Sequence, residues 1–327
     1  MVSQSTEVLK MHHPRACVVA TARFTNIMSA AEALIENDVR LAIFVVMEAA
    51  DVPDCKDSRI VRSAFTNAAS FLERHKIFYF VIAETEIVKT FLLRCGFPKN
   101  KVQVNPYVGA TLINNMSSPP PKDPDRIRVG YLGGSRPVRH PELIADLIVS
   151  GTLPESVELR VQLDLLYIKR TLGQKIYDEV KAKQRNGLLR LYPPNLSNQE
   201  YRSLFCSLDF VIMPYSRRYD QIGSGVFLEA IYAGVIPILP AESKLSETYT
   251  VLGGAAPGIQ TLSSTGIESA IIEGVSRYKE LSRNAIDIRN AWRQSPYSAE
   301  KWQLGLVDWL RHHRLDHQNR TKKFSPN

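Results

Sequence analysis

The sequence predicts an α/β protein of two domains, each built on a parallel sheet covered by helices. Three observations carry this. Short apolar runs of strand length alternate with amphipathic runs of helix length. A Pro-rich stretch, Ser117-Ser118-Pro119-Pro120-Pro121-Lys122-Asp123-Pro124-Asp125, separates two such series, because consecutive prolines continue neither a helix nor a central strand. Residues 221–240 read as a glycine-containing loop, an apolar helix, a glycine stop and a buried strand, which is half of an α/β unit. The 327 residues suffice for two cores.

The first domain is assigned residues 1–116 and the linker 117–125. Within the first domain, strands are expected over 16–20, 41–47 and 78–82. Helices are expected over 30–36, 60–74 and 86–95. In the second domain, residues 126–132 read as a strand, followed by Gly133-Gly134-Ser135 and a helix over 141–149. A strand at 157–163, a helix at 172–184 and a short strand at 188–191 follow. Ser197-Asn198-Gln199-Glu200 has the spacing of a capping box and starts a helix that runs to about 207. Phe210-Val211-Ile212-Met213-Pro214 reads as a buried strand. Residues 126–297 make up this domain. A helix over 298–315 carries Trp302, Leu306, Trp309 and Leu310, and a basic tail covers 316–327. There is no internal repeat.

In the 221–240 segment, Gly223, Ser224 and Gly225 bring bare N–H groups to a helix N-terminus, where an anionic phosphate is stabilised. Glu229 stands alone among Phe227, Leu228, Ala230 and Ile231. A buried carboxylate needs hydrogen-bond partners, and sugar hydroxyls are candidates to supply them.

This segment resembles the donor-site signature of GT-B type glycosyltransferases, in particular the retaining family 4. The family pattern is Glu, seven residues, Glu, then Ala and a small-Gly-x-Pro turn. Glu229-Ala230 and Ala233-Gly234-Val235-Ile236-Pro237 match its second half. The first Glu falls on Gln221, with Asp220 beside it. After the first strand of the second domain the family carries a basic pair ending in Lys-Gly. Here Arg136 and Arg139 stand in that region, and His140 replaces the Gly. Residues 97–107 resemble the end of a GT-B N-terminal domain, and the last helix of such proteins crosses back onto the first domain. The chain has no glycine before Gly96, where the family opens on a strand and a Gly-rich loop. The first domain is therefore expected to be reduced or incomplete, or the chain to be a divergent member.

The resemblance implies transfer of a sugar from a nucleotide diphosphate sugar to a glycan or lipid-linked acceptor, with retention, without a metal and with no cofactor beyond the donor. It implies that Arg136, Arg139 and the amides of Gly223, Ser224 and Gly225 hold the diphosphate. Glu229 would take the ribose diol. Tyr192, beside Leu191 and Pro193, would lie near the base, and Tyr215 in the same crevice. Asp220 and Gln221 would face the sugar. Arg139, Gln221 and Asp220 form the catalytic set. An amide at 221 holds a hydroxyl but no charge, so the alternative is a non-catalytic nucleotide-sugar or glycan binding protein of the same fold. A further alternative is an α/β interaction module.

Composition narrows the classes. Hydrophobic residues make up 44% and charged residues 23%, ordinary for a globular chain. No apolar run spans a bilayer, and Met1 to Met11 lacks the apolar core of a secretory signal. Cys17, Cys55, Cys95 and Cys206 have no paired spacing, which points to reduced thiols and a cytoplasmic location. Net charge is +8, and Arg311, Arg314, Arg320, Lys322 and Lys323 face only Asp316. That tail is either a solvated end or a peripheral contact with anionic lipid at the inner membrane face. No nucleic-acid-binding motif is present. Asp123-Pro124-Asp125 has metal-site spacing but lies in the linker. His313 and His317 lack a third ligand, and His12, His13 and His75 read as structural or solvated.

Overall fold

The computed structural model describes residues 16–39, 41–46, 58–104, 126–134, 136–184, 187–220, 223–295, 301 and 304. The linker, Cys55, Gln221, the five histidines 12, 13, 312, 313 and 317, and the basic tail lie outside them. So does the expected 298–315 helix, apart from Lys301 and Leu304, both helical.

In the first domain, β1 (Ala16–Ala22), β2 (Leu41–Val46), β3 (Phe78–Ala83) and β4 (Val102–Val104) form a parallel sheet in chain order. Three helices, α1 (Ile27–Glu36), α2 (Ser58–Arg74) and α3 (Glu86–Arg94), accompany it. α2 shows why the pattern folds this way. Val61, Phe65, Ala68, Ala69 and Leu72 recur at helical spacing and all are buried. Phe65 meets Phe91 of α3 edge-on, with ring centroids 5.4 Å apart.

The second domain holds β5 (Ile127–Tyr131), β6 (Val157–Gln162), β7 (Leu189–Tyr192), β8 (Phe210–Ile212), β9 (Ile236–Pro240) and β10 (Gly258–Ile259). All are parallel, in the order β10-β9-β8-β5-β6-β7. The helices are α4 (Pro141–Ser150), α5 (Leu165–Leu172), α6 (Gln174–Gln184), α7 (Asn198–Cys206), α8 (Gly225–Ala233), α9 (Lys244–Val251), α10 (Ser264–Ser276) and α11 (Tyr278–Gln294). Separate apolar clusters cover the two faces of the sheet, one around Val211, Met213 and Leu239, the other around Val129, Ile212 and Ile238. That two-sided burial explains why these strands read as continuous apolar runs.

Most expected elements are found with ends displaced by a few residues. The capping box at Ser197 and Glu200 forms on both sides, and Gly234 ends α8 in the left-handed region at φ 68°. One element was not expected. A helix over Leu165–Leu172, capped by Asp164 through Leu166 N and Tyr167 N, precedes the helix expected over 172–184, which begins at Gln174 after Gly173 at φ 93°.

The strand order reverses at β5, which lies between β6 and β8. Loops leaving β5 and β8 diverge there and open a crevice at the carboxyl ends of the strands. Below the crevice, Asp209 is buried at the start of β8. Its carboxylate accepts Arg128 N at 2.9 Å and the Tyr278 hydroxyl at 2.6 Å, tying β5 and α11 to β8. Replacing Asp209 with Ala strands both donors. Urea unfolding is expected to show a loss of about 2–4 kcal/mol, with the crevice residues untouched.

Candidate functional site

The site is built from two loops. The first runs from Leu132 to His140. Gly133 turns it at φ 96°, and its N–H donates to Gln162 Oε1 at 2.9 Å. Its carbonyl accepts Arg139 Nη1 at 2.5 Å. A side-chain carbon added at Gly133 would collide with that guanidinium, so both backbone angle and crowding require glycine. The Tyr131 hydroxyl donates to Arg139 O at 3.2 Å and holds the far end of the loop.

Arg139 is only 8% exposed. Its Nε donates to the Tyr219 hydroxyl at 3.0 Å. Tyr215 and Tyr219, from the second loop, stack at 4.0 Å, and the guanidinium lies 5.4 Å and 6.0 Å from their ring centres. Among the described residues no carboxylate comes within ion-pair distance of it. Its positive charge is held by a carbonyl, a phenol and two ring faces, and burial pushes the Tyr215 hydroxyl up to about 12. A buried cation without an anionic partner favours the arrival of an anion. Arg136 behaves differently. It is exposed, at the start of the Pro137–Arg139 turn. His140, where the family resemblance expects Gly, does adopt the left-handed conformation, φ 51° and ψ 55°.

The second loop ends at the N-terminus of α8. Ser224, 3% exposed, caps the helix by accepting Phe227 N at 3.2 Å. A side-chain carbon added at Gly225 would meet nothing within 4 Å. Glu229, one turn on, is buried, and its Oε2 accepts the Tyr201 hydroxyl of α7 at 2.6 Å. One hydrogen-bond partner thus comes from inside the fold rather than from a ligand. Burial raises the Glu229 carboxyl above the usual range, while the Tyr201 bond and the charge of Arg139 act to lower it. Tyr192 lies half-buried at the end of β7, against the same apolar cluster as Tyr215. Asp220 closes the short turn Arg217–Asp220 that carries Tyr219.

Glu84 was not singled out by sequence reasoning. It follows β3 of the first domain and precedes Thr85, the cap of α3. Its carboxylate crosses the cleft and lies against Gly223, whose amide acts to lower its pKa, so near that a side chain at 223 would collide with it. Its other oxygen, Oε2, is buried without a partner among the described residues. Beside it a cavity of about 240 Å³ is walled by Ile87 and Val104 of the first domain and by Phe227, Leu228, Leu245 and Thr248 of the second. The available signal was a lone carboxylate at the end of an apolar strand. Gln162 and Tyr201 were missed similarly: one ends β6, the other lies inside a helix whose cap alone was read.

No family model and no curated protein matches the chain. Solved structures do. HepE from Anabaena, in complex with UDP and glucose, superposes with a TM-score of 0.64 at 11% identity, covering 95% of this chain and 82% of HepE. WaaG, a glycosyltransferase involved in lipopolysaccharide biosynthesis, gives 0.56 at 13% identity, covering 94% and 93%. A UDP-N-acetylglucosamine 2-epimerase gives 0.55 at 13%, covering 96% and 76%. The chain has the GT-B fold. At such identities the likeness is one of architecture, and the switch-point crevice just described lies between its two domains.

The Glu84 geometry makes stability depend on pH. Burial raises its carboxyl from 4.5 to about 7 against the opposing bond from Gly223. The folded state therefore holds a proton that the unfolded state has released, and stability falls as pH rises from about 4.5 through about 7. Glu84→Gln keeps the acceptor and removes the charge. The variant is expected to be more stable than the parent at pH 8, by up to about 3 kcal/mol, with the difference gone at pH 4. Denaturant titrations at the two pH values measure this.

Proposed function

We propose that the chain binds a nucleoside diphosphate sugar in the crevice between the β5 and β8 loops and transfers its sugar to a glycan or lipid-linked acceptor. The observation that carries this reading is the convergence of three groups at the switch point. They are the buried Arg139, with no carboxylate at ion-pair distance among the described residues, the N-terminus of α8, where a side-chain carbon added at Gly225 would meet nothing within 4 Å, and Glu229 one turn further along. Arg139 and the amides of Gly223, Ser224 and Gly225 suit a diphosphate. Glu229, with Oε2 occupied by Tyr201, has Oε1 for a ribose hydroxyl. In this reading Tyr192 and Tyr215 border the nucleoside side, while Gln221 and the Asp220 side chain, assigned to the sugar by the resemblance, lie outside the described residues. HepE has been seen with UDP, UDP-glucose and glucose, which makes UDP the first nucleotide to test.

Charge develops on the departing diphosphate as the bond to the anomeric carbon breaks. Donors already oriented toward it lower the barrier without reorganising, which is often the largest single contribution. Arg139 is oriented in advance by Gly133, Tyr219 and the stacked rings. In this reading transfer proceeds with retention and needs no metal, the cytoplasmic product enters polysaccharide biosynthesis, and the basic tail supplies peripheral membrane contact. A second reading, donor binding without transfer, rests on Gln221 standing where the resemblance expects an acid.

Calorimetry with UDP and GDP tests the site. Arg139→Ala and Glu229→Ala are each expected to weaken binding about ten- to a hundredfold, as loss of a charge-assisted hydrogen bond implies. Unchanged affinity in both variants rejects the reading. Donor turnover is expected to persist in EDTA, since protein groups meet the diphosphate charge; its abolition by EDTA rejects the metal-free mechanism. Binding without turnover on any donor favours the second reading.

A further inference from the structure

The N–H of Gly223 heads the row of amides at the start of α8, and in this structure a carboxyl group already lies against that residue. It is the protein's own Glu84, from the opposite domain. We propose that Glu84 is a built-in competitor for the diphosphate: it seats its carboxylate on the Gly223 amide across the closed cleft and must give up that amide, or its charge, before the donor's phosphate binds there. This rests on the donor-binding reading above and adds the control of that same site.

Three features support it. First, contact is intimate and depends on glycine. Gly223 has an unexceptional backbone angle, so the need for glycine comes from the approach of Glu84 alone. Second, Glu84 is poorly satisfied where it sits. It is only 8% exposed, and its Oε2 is buried with no partner among the described residues. A carboxylate held by one amide is easily displaced by a group that makes several such bonds. Third, the two anions exclude one another. A phosphate on the Gly223 amide would lie against a buried carboxylate with little water between, where like charges repel strongly.

Neutralisation offers a route around that repulsion. The other titratable groups on the cavity wall are Glu86 of α3, Lys244 of α9 and Tyr219. Lys244 is engaged 2.9 Å from Glu247, and Tyr219 accepts from Arg139. Burial, opposed only by Gly223, raises Glu84 to about 7. If the ionised form excludes the diphosphate, wild-type affinity is about tenfold weaker at pH 8 than at pH 6 on this account, beyond any titration of the ligand itself.

The test uses the full chain, with UDP, GDP and inorganic pyrophosphate as probes and uridine as a diphosphate-free control, by calorimetry at pH 6 and pH 8. Glu84→Gln keeps the shape and removes the charge, and Glu84→Ala vacates the amide. Both are expected to bind the diphosphates about tenfold more tightly than wild type at pH 8 and nearly equally at pH 6, with uridine unaffected. The ligand's own titration is common to all three proteins and cancels. Equal or weaker diphosphate binding by both variants at pH 8 overturns the proposal while leaving the donor site standing. Failure of all probes to bind any of the three proteins overturns the donor-binding reading itself, and this proposal with it. If one variant fails to fold, the other decides.

Discussion

The buried guanidinium of Arg139 is the constraint on which the crevice depends. It belongs to the loop after β5, yet its partners Tyr215 and Tyr219 belong to the loop after β8. These loops leave neighbouring strands in diverging directions, and no strand pairing joins them. Arg139 does so with one side chain, beside a backbone bond from Ser216 N to Val138 O at 3.1 Å, and is fastened at its root by Tyr131 and along its length by Gly133. The arrangement is demanding because it buries a charge. It is stable because carbonyl, phenol and ring faces all present negative potential to the same plane. Among the described residues no acid lies within ion-pair distance of it, which favours an anion arriving from the crevice.

Two carboxylates complete the electrostatics, and their situations differ. Glu229 is braced by a tyrosine from an adjacent helix within its own domain and lies close enough to Arg139 to feel its charge. Glu84 reaches from the other domain to a single amide and feels mainly burial. The first is a fixture of the donor domain, while the second depends on how the domains meet. A difference of this kind lets one site distinguish a group that must stay from one that must yield.

Much of this was legible in the sequence, for definite reasons. The parallel sheet of the second domain was readable because its strands are buried on both faces and so form unbroken apolar runs. The start of α7 was readable because a capping box is a local device, complete within Ser197 to Glu200. Gly223, Ser224, Gly225 and Glu229 were readable because loop, helix and stop follow one another in the chain. Arg139 was picked out through the resemblance as a diphosphate-holding residue, but its burial was not legible, because that depends on Tyr219, eighty residues away. Glu84 was invisible for the same reason: its meaning comes from Gly223, in another domain. The short helix Leu165–Leu172 was missed because only Ile168 of its eight residues is buried, so it leaves little apolar pattern to read.

His140 shows how such a site can outlive its own signature. A left-handed backbone at a non-glycine residue costs about 1–2 kcal/mol, and local preference alone would not choose it. The loop keeps that shape because Arg139, next door, is clamped from outside. Once geometry is enforced by tertiary anchoring, the residue that first permitted it is free to drift. Motif spelling can then erode while architecture persists, a pattern in keeping with a chain that overlays HepE along most of its length yet shares only 11% of its residues.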